Sequence, residues 1–490
     1  MKNRKELLSR IAYSSGDIYG GGSFIIVGLL FLVYLTNVEG FSGTSAGIIV
    51  FTGKAWDAIT DPFMGQLSDR TRSRFGRRRI YFLLGSLPVF FSWVVLWYGF
   101  GITGTTARFL YYILAYIFFS TAFTIVMVPY KAILSDMVRD YNRRSAFTGM
   151  RLGFSAGAAI LCATVPALIT GAFPDPKQAY LIMGLSFGAV FAICWLLVFL
   201  GTWENQIEPV STLSIRDWLS VLKNRSFRIY VTVFILCQMA IDTVMTLAVY
   251  FLTVSLQKEE LFVMIMGSIL ATQLVFIGIF SQVAQKTDKS TPAYISAGVW
   301  IASSIAIVFF SNATPGFIVI PTCALIGVGS AGLNLFSWSV LPDIADVDEL
   351  ITGRRREGLY AGVSTFLRKL SGGVVVGVLG IALDFIGYSK EAVSTGNVSP
   401  ATDWGIRILF CAVPVAFLTF ALLFLRKYKL GRQEFNIMSK ILNRYRAGET
   451  DISIEGEELM VCRQLTGLKD DQFLGSDHGV RSASKRIKNE

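Results

Sequence analysis

The sequence predicts an all-α membrane protein of twelve transmembrane helices in two six-helix bundles. Three observations carry that reading. Of the 490 residues, 53% are hydrophobic and 16% charged, with mean hydropathy +0.54; a soluble chain holds about 25% charged residues. Apolar runs of about 20 residues, enough to cross a bilayer, recur along the chain. Lysine and arginine fall in alternate loops, as they do where one side of a membrane retains the basic loops.

The first six runs lie near residues 18–34, 45–67, 81–100, 110–133, 146–170 and 180–200. The second six lie near 229–254, 261–283, 293–310, 317–341, 360–386 and 406–425. The expected organisation is therefore a first bundle at 1–202, a central linker at 203–228, a second bundle at 229–425 and a polar tail at 426–490. The basic loops include Lys2 to Arg10, the arginines of 70–79, Arg143 and Arg144, and Arg426 to Lys429. They place both termini in the cytoplasm, the chain being an integral protein of the plasma (inner) membrane. The first ten residues are polar and basic with no apolar core, so no cleavable signal is expected.

The net charge of +11 follows from those loops and implies no nucleic-acid partner. Six cysteines stand singly, with no paired spacing for a metal or disulfide, and the one histidine, His478, lies in the tail. No nucleophile–base set or phosphate loop is present either, so no enzyme and no cofactor are expected. Glycines at 20–22, 153, 157, 372, 373, 377 and 380 mark close helix approach or points of bending. In the tail, residues 432–446 form an amphipathic pattern with Met438, Ile441, Leu442 and Tyr445 on one stripe. The tail as a whole reads as solvated, and disordered beyond Gly467.

Residues 50–79 are the centre of the functional reading. The apolar run carries WDAITDP, with Lys54, Asp57 and Asp61 at membrane depth. A charged side chain there costs roughly 2.5–3.5 kcal/mol on insertion scales and marks function. Asp57 and Asp61 are spaced i, i+4 and share a helix face. Two such carboxylates stay charged only with a cation between them, or else one takes a proton. That describes a coupling site for Na⁺ or H⁺, with Asp57 and Asp61 as metal ligands in the Na⁺ case. Beyond it, residues 69–79 pack six arginines and Asp69 into one turn.

WDAITDPFMGQLSDRTRSRFGRRR, with YSSGD before it and LPDIADVDELITGRRREG after it, resembles the glycoside–pentoside–hexuronide:cation symporters of the major facilitator superfamily. The resemblance runs from about Tyr13 to Leu425. It implies the major facilitator fold and a cation site at Asp57, Thr60, Asp61 and Thr124. It also implies a gate at Asp69, Arg70, Arg77 and Arg78, and acidic partners at Asp343, Asp346, Asp348 and Glu349. The substrate residues it implies are Asp17, Lys131, Arg151 and Lys369. Gly21 and Met127 stand where melibiose-type carriers hold carboxylates, and Lys131 where they hold a tryptophan. An internal repeat is barely legible, since the turn matching 69–79 reads SQVAQKTDKST.

The resulting expectation is a secondary transporter that couples Na⁺ or H⁺ to a sugar, glycoside or uronide, with an anionic solute favoured by the cavity cations. A lysolipid carrier is the alternative, because lipid-transporting relatives share the DxxTDP pattern.

Overall fold

The computed structural model describes residues 2–138, 141–204, 220–353, 356–395, 397–447, 449, 454, 456–468 and 473. Among them every regular element is helical. The first six long helices are α1 (Lys2–Val33), α2 (Gly43–Arg70), α3 (Arg79–Leu96), α4 (Thr105–Met137), α5 (Tyr141–Gly171) and α6 (Pro176–Gly201). The next six begin with α7 (Arg225–Tyr250), α8 (Phe262–Lys286), α9 (Ser290–Ile307) and α10 (Gly316–Ser339). A short α11 (Leu341–Thr352) precedes α12 (Glu357–Phe385) and a single turn, α13 (Lys390–Ser394). The last span is α14 (Pro400–Arg407), a π-helical step Ile408–Ala412 and α15 (Val413–Leu425). Two further helices follow, α16 (Arg432–Arg446) and α17 (Gly456–Thr466).

Ten of these spans are long and apolar enough to cross a membrane. α2 and α9 bring the described spans to twelve. α2 is the more polar of the two because it carries Lys54, Asp57, Asp61 and Asp69 along one helix. Large apolar side chains stand exposed on these helices and at their ends, among them Leu84, Leu87, Leu114, Phe309, Phe317 and Phe385. The multi-pass reading thus holds. Of the expected linker, residues 205–219 lie outside the described residues, and α7 begins inside it, at Arg225.

The tail differs from expectation. α16 forms over the predicted stretch, but it is docked rather than solvated, with Met438, Ile441 and Leu442 buried. α17 docks too, burying Val461, Cys462 and Leu465 while the Leu465 carbonyl accepts from Ser226 of α7 at 2.6 Å. Apolar stripes on both helices are what pull a charged tail onto the bundle. Residues 469–472 and 474–490 lie outside the described residues.

α2 and α12 run against each other for most of their length. Glycines set the distance: a methyl on Gly47 would come within 2.9 Å of the Gly377 carbonyl oxygen, and Gly43 meets the Gly380 backbone still more closely. At the end away from the arginines, Asp384 of α12 accepts the amides of Gly43 and Thr44 at 2.6 and 2.7 Å. One bundle thereby caps the first turn of a helix in the other.

Candidate functional site

Asp57 and Asp61 lie halfway along α2, one turn apart. Pro62 follows directly, and its missing N–H leaves the Ala58 carbonyl without its usual partner. Asp57 is buried, while Asp61 is about one-fifth exposed. The Thr124 hydroxyl of α4 lies 2.9 Å from Asp57 Oδ1 and 3.0 Å from Asp61 Oδ1. On the other side, Lys369 Nζ of α12 lies 2.7 Å from Asp57 Oδ2 and 2.6 Å from Asp61 Oδ2. One ammonium therefore bridges two carboxylates at the junction of α2, α4 and α12. The cluster keeps one formal negative charge, so a monovalent cation or a proton would complete its neutralisation. Hard cations favour such oxygen sets. Among the described residues, no group of three or more His, Cys, Asp or Glu side chains is placed so that it could hold a metal ion.

Lys369, which the resemblance assigns to the substrate, is thus held by the carboxylate pair. Lys54, one turn before Asp57, does not join that pair and reaches across the seam to the Gly372 carbonyl at 3.3 Å. Thr60 turns its hydroxyl back to the Trp56 carbonyl at 3.0 Å, within its own helix. Asp17 and Arg151 face each other, 3.6 Å apart, set back from the cavity wall. Lys131 is exposed on that wall.

The cavity holds about 490 Å³ and is entered by Asp57, Lys369 and Lys131. Its apolar wall includes Phe24, Phe123, Ile241, Met245 and Leu270. Its polar wall is a hydrogen-bonded chain of three side chains. Arg368 Nε donates to Gln238 at 2.9 Å, and Gln238 donates to Asn334 at 3.2 Å. Asp242, on the same wall, lies 3.9 Å from Arg368. Four cationic side chains (Lys54, Lys131, Arg368, Lys369) stand against three carboxylates (Asp57, Asp61, Asp242), a formal excess of one positive charge.

The arginine turn is organised around Arg78. Its guanidinium meets Asp69 at 2.7 Å and also pairs with Asp136 of α4, while donating to the Ala132 carbonyl at 3.0 Å. Arg77 reaches Asp136 at 3.0 Å. Glu204, beyond α6, accepts the amides of Arg77, Arg78 and Arg79 at 2.9, 2.8 and 2.8 Å, closing the N-terminus of α3. Arg70 is exposed and forms no ion pair among the described residues.

The second half repeats the device with other residues. Lys289 precedes α9 as Arg78 precedes α3, and it meets Asp343 at 2.6 Å just beyond α10. Asp348 holds Arg356 through both oxygens, at 2.7 and 2.6 Å, and accepts from Tyr360 at 2.8 Å. Asp346 and Glu349 take Arg446 from the docked tail at 3.1 and 2.5 Å. Among the described residues, each of these pairs stays within its own half.

The family model for MFS/sugar transport proteins matches residues 12–432. The chain belongs to that family. A putative glycoside/cation symporter of Escherichia coli is 27% identical over 90% of this chain and 95% of its own length. The sodium-dependent lysophosphatidylcholine symporter 1 of Gallus gallus is 25% identical over 93% of this chain and 92% of its own length. In fold, a bacterial homologue of the lysosomal transporter Spinster, solved inward-facing, matches with TM-score 0.66 at 11% identity, covering 90% of this chain and 98% of that one. The nucleoside transporter NupG matches with TM-score 0.60 at 15% identity, over 89% and 99%.

This MFS/sugar transport protein is accordingly a secondary transporter with the major facilitator fold. On the cavity wall, the sequence offers Asn334 and Trp338 as lining candidates and turns Arg368 away from Lys369 toward Asp242, but such residues also serve helix packing, and Gln238 carries no signal of its own. Only their convergence on one space marks them out.

Proposed function

We propose that this transporter couples the entry of a sugar acid or uronide to a cation gradient, Na⁺ or H⁺, by alternating access. The observation that carries the reading is the Asp57–Asp61–Thr124 oxygen set with Lys369 lodged in it. An ammonium resting where a cation would sit competes with that cation for the same oxygens. Cation entry then frees Lys369 toward the cavity and raises the positive charge there, which favours an anionic solute. Ion and solute thereby bind better together than alone, as symport requires. The alternating basic loops support an orientation in the plasma (inner) membrane with the arginine turn and both termini on the cytoplasmic side.

The second reading is lysolipid transport, supported by the apolar cavity wall and by the lysophosphatidylcholine symporter among the relatives. Reconstituted vesicles separate the two when offered uronides, neutral sugars and lysolipids under each ion gradient in turn. Accumulation of a uronide above its external level is expected under one gradient, and Asp57→Asn or Asp61→Asn should abolish it. Full accumulation in both variants would remove the coupling site from this pair.

A further inference from the structure

Arg368 precedes Lys369 on α12, and a helix turns about 100° per residue, so the two side chains diverge. Lys369 is consumed by two carboxylates. Arg368 is not. Its Nε donates to Gln238 at 2.9 Å, and Gln238 is fixed in turn by Asn334 at 3.2 Å. That brace sets the plane of the guanidinium. Its nearest carboxylate oxygen, Asp242 Oδ1, is 3.9 Å away, beyond hydrogen-bonding distance. The side chain keeps about a third of its surface exposed, on the cavity wall. An arginine has five N–H donors in a fixed fork, and here the terminal ones hold no hydrogen-bond acceptor among the described residues. Beside it, Asp242 Oδ2 is buried with no hydrogen-bond donor among them. Trp338, half exposed, flanks the same wall.

We propose that Arg368, braced by Gln238 and Asn334, binds an oxyanion of the transported solute, with Asp242 accepting a neighbouring hydroxyl. The fork fits a carboxylate or a phosphate through two parallel hydrogen bonds. Asp242, whose side chain keeps 15% of its surface exposed on the same wall, can accept from an O–H donor within one or two bonds' reach, which a sugar acid supplies. Trp338 offers an apolar face to a ring. The proposal deepens the symport reading and rests on it for the solute's entry into this cavity.

The test is equilibrium binding to the purified full-length protein without any gradient. The probes are methyl glucuronide, its neutral isostere methyl glucoside, and lysophosphatidic acid as the lipid oxyanion. Wild type should bind the glucuronide more tightly than the glucoside. Arg368→Gln should weaken the glucuronide about 10- to 100-fold, the range of a lost charged hydrogen bond, and the glucoside less than about 3-fold. Arg368→Lys, which keeps charge but not the fork, should fall between. Gln238→Ala, which removes only the brace, should selectively weaken the glucuronide by a smaller factor and serves if Arg368→Gln does not fold.

Equal losses for the charged and neutral probes, or a wild type that binds neither oxyanion, would overturn the proposal. A selective loss with lysophosphatidic acid alone would uphold the oxyanion site and overturn the sugar-acid assignment. Accumulation driven by the carboxylate pair is read separately in vesicles, so a failure of coupling and a failure of Arg368 cannot be mistaken for one another.

Discussion

Lys369 shows how a single side chain sets the energetics of the site. It sits at mid-height, between two carboxylates at 2.7 and 2.6 Å and over the face of Phe123 at 5.7 Å. Breaking a buried pair by removing one partner costs about 3–5 kcal/mol, because the other charge stays behind unpaired. Lys369→Gln leaves two carboxylates with only Thr124 between them. The cation-free protein should therefore lose stability, while added coupling ion restores it. The measurement is the melting temperature of the detergent-purified protein with and without the ion: the gap should widen several-fold over wild type. A gap that stays the same would mean that Lys369 and the ion do not share these oxygens. The pair itself was legible in the sequence, since two aspartates one turn apart inside an apolar run are costly unless a cation joins them. The partner was not. Lys54 lies one turn from Asp57 in sequence, but the seam glycines bring α12 so close that Lys369 arrives first and Lys54 crosses to Gly372.

Among the helices, the tail is where pattern and placement part company. The 3.6-residue stripe of α16 was readable, and Met438, Ile441 and Leu442 are the residues it buries. A stripe says that one face is covered, not what covers it. Here α11 does so, with Arg446 clamped by Asp346 and Glu349. Ile441→Asp would place an unpaired charge in that contact at a cost of several kcal/mol. Trypsin should then cut at Lys440 and Arg444 at least about tenfold faster than in wild type, whereas Arg446→Ala should give a smaller rise. Unchanged cutting in Ile441→Asp would show that α16 is held by something other than its apolar face. The repeat was hidden for a related reason. Lys289 and Asp343 perform the task of Arg78 and Asp136 with a different cation in a different sequence frame, so the common geometry leaves almost no common letters.

For the molecule as a whole, the decisive asymmetry lies between its two ends. Away from the arginines, the halves are tied by Asp384 to the first amides of α2, by Thr36 to Tyr250 at 2.8 Å and by Tyr388 to Asn37 at 2.9 Å. At the arginine-rich end, each ion pair among the described residues stays within its own half. The halves are thus fastened at the far end, and a transport cycle must undo those ties and part the α2–α12 seam. Gly380 lies where the seam is tightest, with the Gly43 backbone pressed against the space a side chain would need. Gly380→Leu should therefore wedge the far end apart and shift the population toward the opposite opening. The reporter is Met245→Cys on the cavity wall, in a background without the native cysteines. In the parent, an impermeant thiol reagent should label it from the arginine-rich side. With Gly380→Leu, labelling should appear from the far side and fall from the first. A shift to 90% far-side labelling from 10% needs about 2.6 kcal/mol, within the usual cost of overpacking a tight contact. Labelling that keeps its original sidedness would mean that this seam does not hold the far end shut.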